Sequence, residues 1–557
     1  MWNLKYKDVP LNARKDCSVS SDRGQEFCDV ELLKKEEYTE PKYATLEKNF
    51  WALDGTFTTL DAGNEGIAFC SKEMSDGEGK FCYSPTIVRT YGNYYSSVGI
   101  SLQFDVNSSE YPKEFIITWY SDDVMISSKT FEADAVEYFA ENVVENYNKI
   151  EITFVSTHIP YRYIKITRIE DGLLRTIHAS ELTKLNLLEE ISDDCSELSV
   201  NTLTFGVIVK DVNYLFQKSQ PIDLYKGDKL YSSFFLKSST RDNKHMYNVV
   251  CEDPVGFLDS IMYLGGMYGM YFEGEYAEGI TFEELITDIM KDEYFNFEIA
   301  DDLKQKVIYG YLPYVSKRKA LQQACMAVGA VCDPARHSVI RFYSADSDVN
   351  EDVYIQNENI IKGGKIITGE YITKLNISEH SYEASEASET VYRGKVPQGV
   401  QTLIFKKPVV LESVKTNLEE YEEGTAEIIK ISYNYMIVNC HSDKFRLKVD
   451  ANVYEDVPYV RTFIPDKLPY GCADKELSIT DATLITEENI DEVAERQLNI
   501  CKNNKTFETD LIVDNNKCGD NVIMNTEWEG QKKMKILKID ADIKTHMYAK
   551  AVLRING

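Results

Sequence analysis

Apolar and polar positions alternate strictly through the first third of the chain. In SVGISLQFDV, Val98, Ile100, Leu102 and Phe104 are separated by polar or small residues; Phe115, Ile117 and Trp119 do the same in EFIITWY, and Ile150, Ile152 and Phe154 in KIEITFV. A period of two with turn residues between the runs predicts half-buried antiparallel strands, and several of them within about 140 residues predict a β-sandwich over 41–180. One stretch, FEADAVEYFAENV, reads as a helix-like interruption between strands. The polar, charged residues 1–40 read as an irregular or extended arm.

Downstream the period changes twice. LTFGVIVKD, KLYSSFFLKSST and HMYNVVCED are strand candidates, followed by the Gly- and Met-rich PVGFLDSIMYLGGMYGMYF, read as a buried turn or short helix leading to a tight loop. Thr281 and Glu284 then form a capping-box pattern ahead of Phe282, Leu285, Ile286, Ile289 and Met290 at helical spacing. A second helix, SKRKALQQACMAVG, places Ala320, Leu321, Ala324, Cys325 and Val328 on one face, with Gly329 as its stop. With the strand HSVIRFYSAD this makes a small α/β unit over 266–350. Strand patterns return over 350–480, where the acidic NLEEYEEG reads as a solvated loop. Thr486 is expected to cap a helix over 486–501 with Ile490, Val493, Ala494 and Cys501 on one side, before the closing strands MKILKIDADI and YAKAVLRING.

Composition narrows the class. The 557 residues suggest about three to five domains, and 43% hydrophobic with 27% charged residues is ordinary for a globular protein. No apolar run approaches the roughly 18 residues of a membrane span, and the N-terminal residues lack an apolar signal core. The net charge of −30 excludes condensation on a phosphate backbone, though an acidic wall can surround nucleic acid without sticking to it. Abundant Tyr (37) and Phe (24) favour pleated, half-buried surfaces. The twelve cysteines show no CxxC spacing and read as buried reduced thiols; Cys70 and Cys82 have hairpin spacing, but nothing demands a bridge.

Little in the chain announces catalysis. The seven histidines form neither HExxH nor HxH, so no metal site and no cofactor is expected. GxSxG, Walker A and GxGxxG patterns are absent. Cys440 and His441 are adjacent, and on a strand they point to opposite faces, a poor nucleophile–base pair. With 91 acidic residues a carboxylate pair arises by chance, so Glu273, Glu275 and Glu278, or Asp122 and Asp123, carry no catalytic assignment. The sandwich says more. Sugars are held by aromatic stacking plus planar polar groups, and Trp51, Tyr94, Tyr95 and Tyr120, with Asp54, Asn93 and Arg162, are the carbohydrate-binding candidates; Tyr161 and Tyr163 lie nearby. Tyr94 and Tyr95 are neighbours, so one of them faces outward.

Two sets of stretches resemble known families. ATLEKNFWALDG, SPTIVRTYGNYYSSVGISLQFD, YPKEFIITWYSD and IPYRYIKITRIEDG resemble a discoidin-type, jelly-roll carbohydrate-binding module of the kind found in phage and prophage tail proteins. SELSVNTLTFGVIVKD, DLYKGDKLYSSFFLKSSTRDNKHMYNVVCEDPVGFLDS, YLGGMYG, YLPYVSKRKALQQACMAVGAV and ATLITEENIDEVAERQLN, in that order, are similar to the phage tail hub or tail-associated family. The resemblance implies a mainly β, multidomain chain: an arm (1–40), a jelly-roll sandwich (41–180), a first hub β-barrel (181–265), the small α/β domain (266–350), a second hub β-barrel in two parts (351–400 and 481–557) and an inserted β domain (401–480). It further implies a homotrimer whose six barrels match a six-fold tail tube, located at the tail tip or baseplate of a virion. Its partners would be the tail tube, distal tail proteins, other baseplate proteins and a spike or fibre, with DNA passing through a channel. With the second barrel ending at Gly557, lytic activity or a spike is expected from another protein. The jelly roll would either bind a host cell-surface glycan or pack against baseplate neighbours. A receptor-binding adhesin and a glycan hydrolase are the rival readings.

Overall fold

The computed structural model describes residues 2–10, 12–35, 41–43, 45–47, 66–208, 215–243, 245–269, 271–272, 275–276, 279–293, 295–334, 336, 339–345, 353–419, 426–441, 445–468, 473–513, 515–526, 530–543 and 546–555. It is mainly β and divides into two compact units, one of Met1–Thr183, Phe205–Leu230 and Phe234–Cys251, the other of Lys184–Thr204, Tyr231–Ser233 and Glu252–Gly557.

The first unit holds the sandwich. Its sheet runs through Phe69–Cys70, Lys165–Asp171, Thr86–Phe104, Glu137–Thr157, Pro112–Ser121 and Val124–Phe131, with Cys17–Asp22 pairing with the Thr86–Tyr91 half of the 86–104 strand. Alternation works here as expected: Ile100, Phe104, Phe115, Ile117, Trp119, Ile150, Ile152 and Phe154 have no exposed surface. The helix-like reading of FEADAVEYFAENV is corrected. Residues from Glu137 onward belong to a 21-residue strand, Glu137–Thr157, which pairs with 86–104 and with 112–121. Register shifts in the pairing with 86–104, between Thr90 and Gly99, with Asn146 at φ 58°, break the period of two. That irregularity mimics helical spacing, and two-sided ladder pairing overrides it.

Residues 1–40, expected as an irregular or extended arm, hold two paired strands. Trp2–Lys7 is a strand with Trp2, Leu4 and Tyr6 buried, set between Pro221–Lys226 and Leu174–His178. Cys17–Asp22 pairs with the long sandwich strand. The WNLKYK alternation is the signal for the first of these. The same sheet continues through Lys229–Asn243, Met246–Glu252 and Thr202–Ile208.

The second unit is built around three helices. Phe282–Met290 begins at the expected capping box, with Thr281 and Glu284 satisfying each other's backbone N–H. Lys317–Val328 starts at Ser316 and stops at Gly329, which sits at φ 76°. The third helix runs over Ile490–Lys502, later than expected. Thr486 starts a preceding turn instead, its backbone N–H held by the Asn489 side chain at 2.9 Å. These helices bury Phe282, Leu285, Leu321, Ala324, Ile490 and Val493 in one core. Inward-facing polar residues satisfy loop carbonyls there: Gln322 donates to Cys195 O (2.7 Å) and Gln323 to Asp481 O (2.8 Å). The ion pairs Glu189–Arg336 and Asp333–Lys517 tie the strands Leu182–Glu190 and Ala330–Asp333 to neighbouring loops.

Ile360–Thr368, Lys505–Val513, Met547–Ile555, Gly530–Ile543 and Leu182–Glu190 are successive strands of a thirteen-stranded sheet, with Asn521–Thr526 on the 530–543 strand. A separate β-cluster buries Val391, Val409, Met436, Val438 and Val449. Its long strand Tyr382–Val396 pairs with Phe445–Asp456, so the cluster draws on residues before 401. The short Gly–Met-rich passage forms a helix, Pro254–Phe257, and three short strands, Met262–Tyr263, Gly266–Tyr268 and Tyr271–Phe272. Within NLEEYEEG, expected as a loop, Asn417–Glu419 end the strand Lys415–Glu419, and residues 420–424 fall outside the described residues.

Candidate functional site

The residues expected to bind carbohydrate separate into two places on the first unit, and Trp51 and Asp54 fall outside the described residues. Asn93, Tyr94 and Tyr95 sit in the irregular middle of the Thr86–Phe104 strand. Asp16, at the end of the Ala13–Asp16 helix, organises two of them. Its carboxylate accepts from the Asn93 backbone N–H (2.8 Å), the Asn93 amide (3.2 Å) and the Tyr95 hydroxyl (3.0 Å). Tyr95 is buried, and that burial together with the bond to Asp16 drives its phenol well above the usual range.

Tyr94 is the outward neighbour, 52% exposed. Its hydroxyl donates to Asp122 Oδ1 at 2.5 Å, a bond that raises its phenol's pKa. Asp122 and Asp123 form the tight turn between Pro112–Ser121 and Val124–Phe131, both at positive φ (48° and 63°), as two-residue hairpins require. Asn148 braces Asp122 from both sides, accepting from its N–H (3.0 Å) and donating to its carboxylate (3.1 Å). Tyr120 lies beside this turn, its hydroxyl 3.4 Å from Glu151 and its ring 4.9 Å below the Lys149 ammonium. Desolvation raises the Tyr120 phenol. The result is a shallow rim with one exposed ring, held by carboxylates.

Arg162 belongs elsewhere. It meets Glu110, which lies just before Pro112–Ser121, whereas Tyr120 lies at that strand's far end. Ten residues of strand separate the two places by roughly 30 Å. Arg162 lines a cavity of about 140 Å³ formed by Ser108–Pro112 and Thr157–Lys165. Its Nε donates to Glu110 Oε1 at 2.7 Å, while its backbone exchanges bonds with Ser75 (3.0 and 3.1 Å). Lys165 is matched by the buried Glu47 at 2.7 Å, and Glu47 also accepts from the Tyr163 N–H at 2.8 Å. Tyr111 packs edge-on against His158, ring centres 5.1 Å apart. Glu110, Tyr111 and His158 escaped sequence reasoning because the cavity joins segments about fifty residues apart, and neither carries a spacing motif.

Elsewhere the residues offer little chemistry. Cys70 is buried and Cys82 exposed, both free; burial pushes the Cys70 thiol up. Among the described residues no group of three or more His, Cys, Asp or Glu is arranged to hold a metal ion, and no helix is long and apolar enough to cross a membrane.

No family model matches the chain, and no curated protein matches it. Solved structures do. It is similar to the prophage tail protein gp18 of Listeria monocytogenes EGD-e, with 11% identity and a TM-score of 0.38, over 69% of this chain and 91% of that one. It is similar to the tail protein of Neisseria meningitidis MC58, with 8% identity and a TM-score of 0.40, over 67% of this chain and 92% of that one. The prophage MuSo2 43 kDa tail protein of Shewanella oneidensis is similar at 9% identity and a TM-score of 0.39, over 67% of this chain and 94% of that one.

Proposed function

We propose that this chain is a non-enzymatic structural protein of a phage tail or phage-derived injection particle. It forms a homotrimeric hub at the tail tip or baseplate that joins the tube to distal components and surrounds the channel. The observation that carries the reading is a thirteen-stranded sheet, largely antiparallel, with alternating burial along its strands. Three chains, each supplying two tube-like barrels, would present six such surfaces to a six-fold tube. The net charge of −30 supports it, because a wall around DNA must repel phosphate. So does the ordered set of hub-like stretches, which falls on the Lys229–Asn243 and Met246–Glu252 strands and on the Lys317–Val328 and Ile490–Lys502 helices.

Sedimentation equilibrium on the purified full chain tests the assembly. A trimer is expected, and a monomer at tens of micromolar chain counts against it. A second reading attaches to the sandwich alone: recognition of a cell-surface glycan. Its supporting observation is the exposed Tyr94 ring beside a braced carboxylate turn.

A further inference from the structure

We propose that the cavity between Ser108–Pro112 and Thr157–Lys165 is a binding site for one neutral, polyhydroxylated ring, a single saccharide unit. This rests on the glycan reading of the sandwich and moves its binding centre away from the Tyr94 rim.

Arg162 is 8% exposed, and its Nε donates to Glu110. Glu110 uses Oε1 for that bond, and its Oε2 is buried with no hydrogen-bond partner. One wall of the cavity thus offers a fixed guanidinium beside a bare acceptor. A buried polar group left unmade costs stability, and such orphans call for an explanation. A hydroxyl supplies both halves, accepting from the guanidinium and donating to the carboxylate. Neighbouring hydroxyls on a ring do so together.

Charge then selects among ligands. Arg162 is matched by Glu110 and Lys165 by Glu47. An anion would meet the bare Glu110 oxygen, and a cation would meet Arg162. A neutral ring meets neither penalty. Apolar and aromatic surface from Tyr111, Tyr163, Pro112 and Ile159 suits the C–H faces of a sugar, and about 140 Å³ is room for one small ring. The anchors are stiff: Glu47 clamps Lys165 and the Tyr163 backbone, and Ser75 clamps the Arg162 backbone on both sides.

The test is calorimetric or NMR titration of the full chain with glucose, galactose and N-acetylglucosamine, using N-acetylneuraminate and glucosamine as charged comparators. At least one neutral sugar is expected to bind, and Arg162→Met to weaken it about tenfold or more, the loss of a charge-assisted bond. Glu110→Gln keeps the site's shape and leaves Arg162 unmatched. It should shift preference toward N-acetylneuraminate over the neutral sugar by about tenfold, and it decides the matter should Arg162→Met fail to fold. Neutral-sugar binding unchanged in both variants, but lost in Tyr94→Ala/Tyr120→Ala, overturns the cavity and keeps the glycan reading. No binding by any sugar up to tens of millimolar overturns both.

Discussion

Replacing Arg89 with Met should destabilise the sandwich by about 3–5 kcal/mol, the range for removing one partner of a buried ion pair. Arg89 is 1% exposed on the Thr86–Phe104 strand, and each of its three guanidinium nitrogens donates to a partner. It donates to Asp171 Oδ2 (2.9 Å), to Ile169 O (2.7 Å) and to the Tyr91 hydroxyl (3.1 Å), while Tyr91 donates to Asp171 Oδ1 (2.6 Å). Arg89 thereby ties one half of the long strand to the Lys165–Asp171 strand, whose backbone pairs with the other half over Ile100–Phe104. Met fills the volume and supplies no charge, so the Asp171 carboxylate stays buried with the Tyr91 hydroxyl still donating to it, and Ile169 O loses the Arg89 donor. Amide exchange by mass spectrometry suits the measurement, because it reads the 86–104 and 165–171 peptides separately in a chain of two units that need not unfold together. The double variant Arg89→Met/Asp171→Leu should recover most of the loss, since removing both charges leaves none unpaired. A single-variant cost below about 1 kcal/mol, or a double variant no better than the single, would refute the reasoning.

Three further outcomes are expected. Burial pushes the Asp253 carboxyl up to about 7, although it accepts from the Asn201 and Gly256 N–H groups. The folded state then keeps a proton that the unfolded chain releases near pH 4, so this group's contribution to stability falls as pH rises from about 4 to 7, by up to roughly 4 kcal/mol; Asp253→Asn should flatten that slope in urea midpoints taken at pH 5 and 7.5. Gly329→Ala should cost about 2 kcal/mol or more, because φ is 76° and the added Cβ would lie 2.3 Å from Arg496 Nη1, and the midpoint of the second unit would report it. Thr281→Ala removes one arm of the capping box and should cost about 1 kcal/mol, seen as faster amide exchange confined to the first turns of Phe282–Met290.

Local physics made much of the fold readable. Alternation at Val98–Phe104, Phe115–Trp119 and Ile150–Phe154 places those strands because one sheet face is buried, and the Thr281 and Gly329 signals end where backbone hydrogen bonding changes hands. The failures lie where distant pairing decides. WNLKYK is a short alternating run that becomes a strand because two partners, 174–178 and 221–226, lie on either side of it. FEADAVEYFAENV reads as helical because bulges disturb its period, and bulge positions depend on the partner strand. Thr486 sits beside the helix it was expected to cap, displaced by a turn that Asn489 closes.

The candidate site was legible only residue by residue. Adjacency alone gives one outward ring from Tyr94 and Tyr95, and the structure makes it Tyr94. Grouping Arg162 with those rings required knowing that Glu110 and Tyr120 mark opposite ends of one strand, which no spacing in the sequence records.

Immunogold electron microscopy with antibody to this chain, on particles from an induced lysate, tests the central claim most directly. The account predicts label confined to the distal tip of the tail. Label along peripheral fibres, or only on protein free of particles, would contradict it.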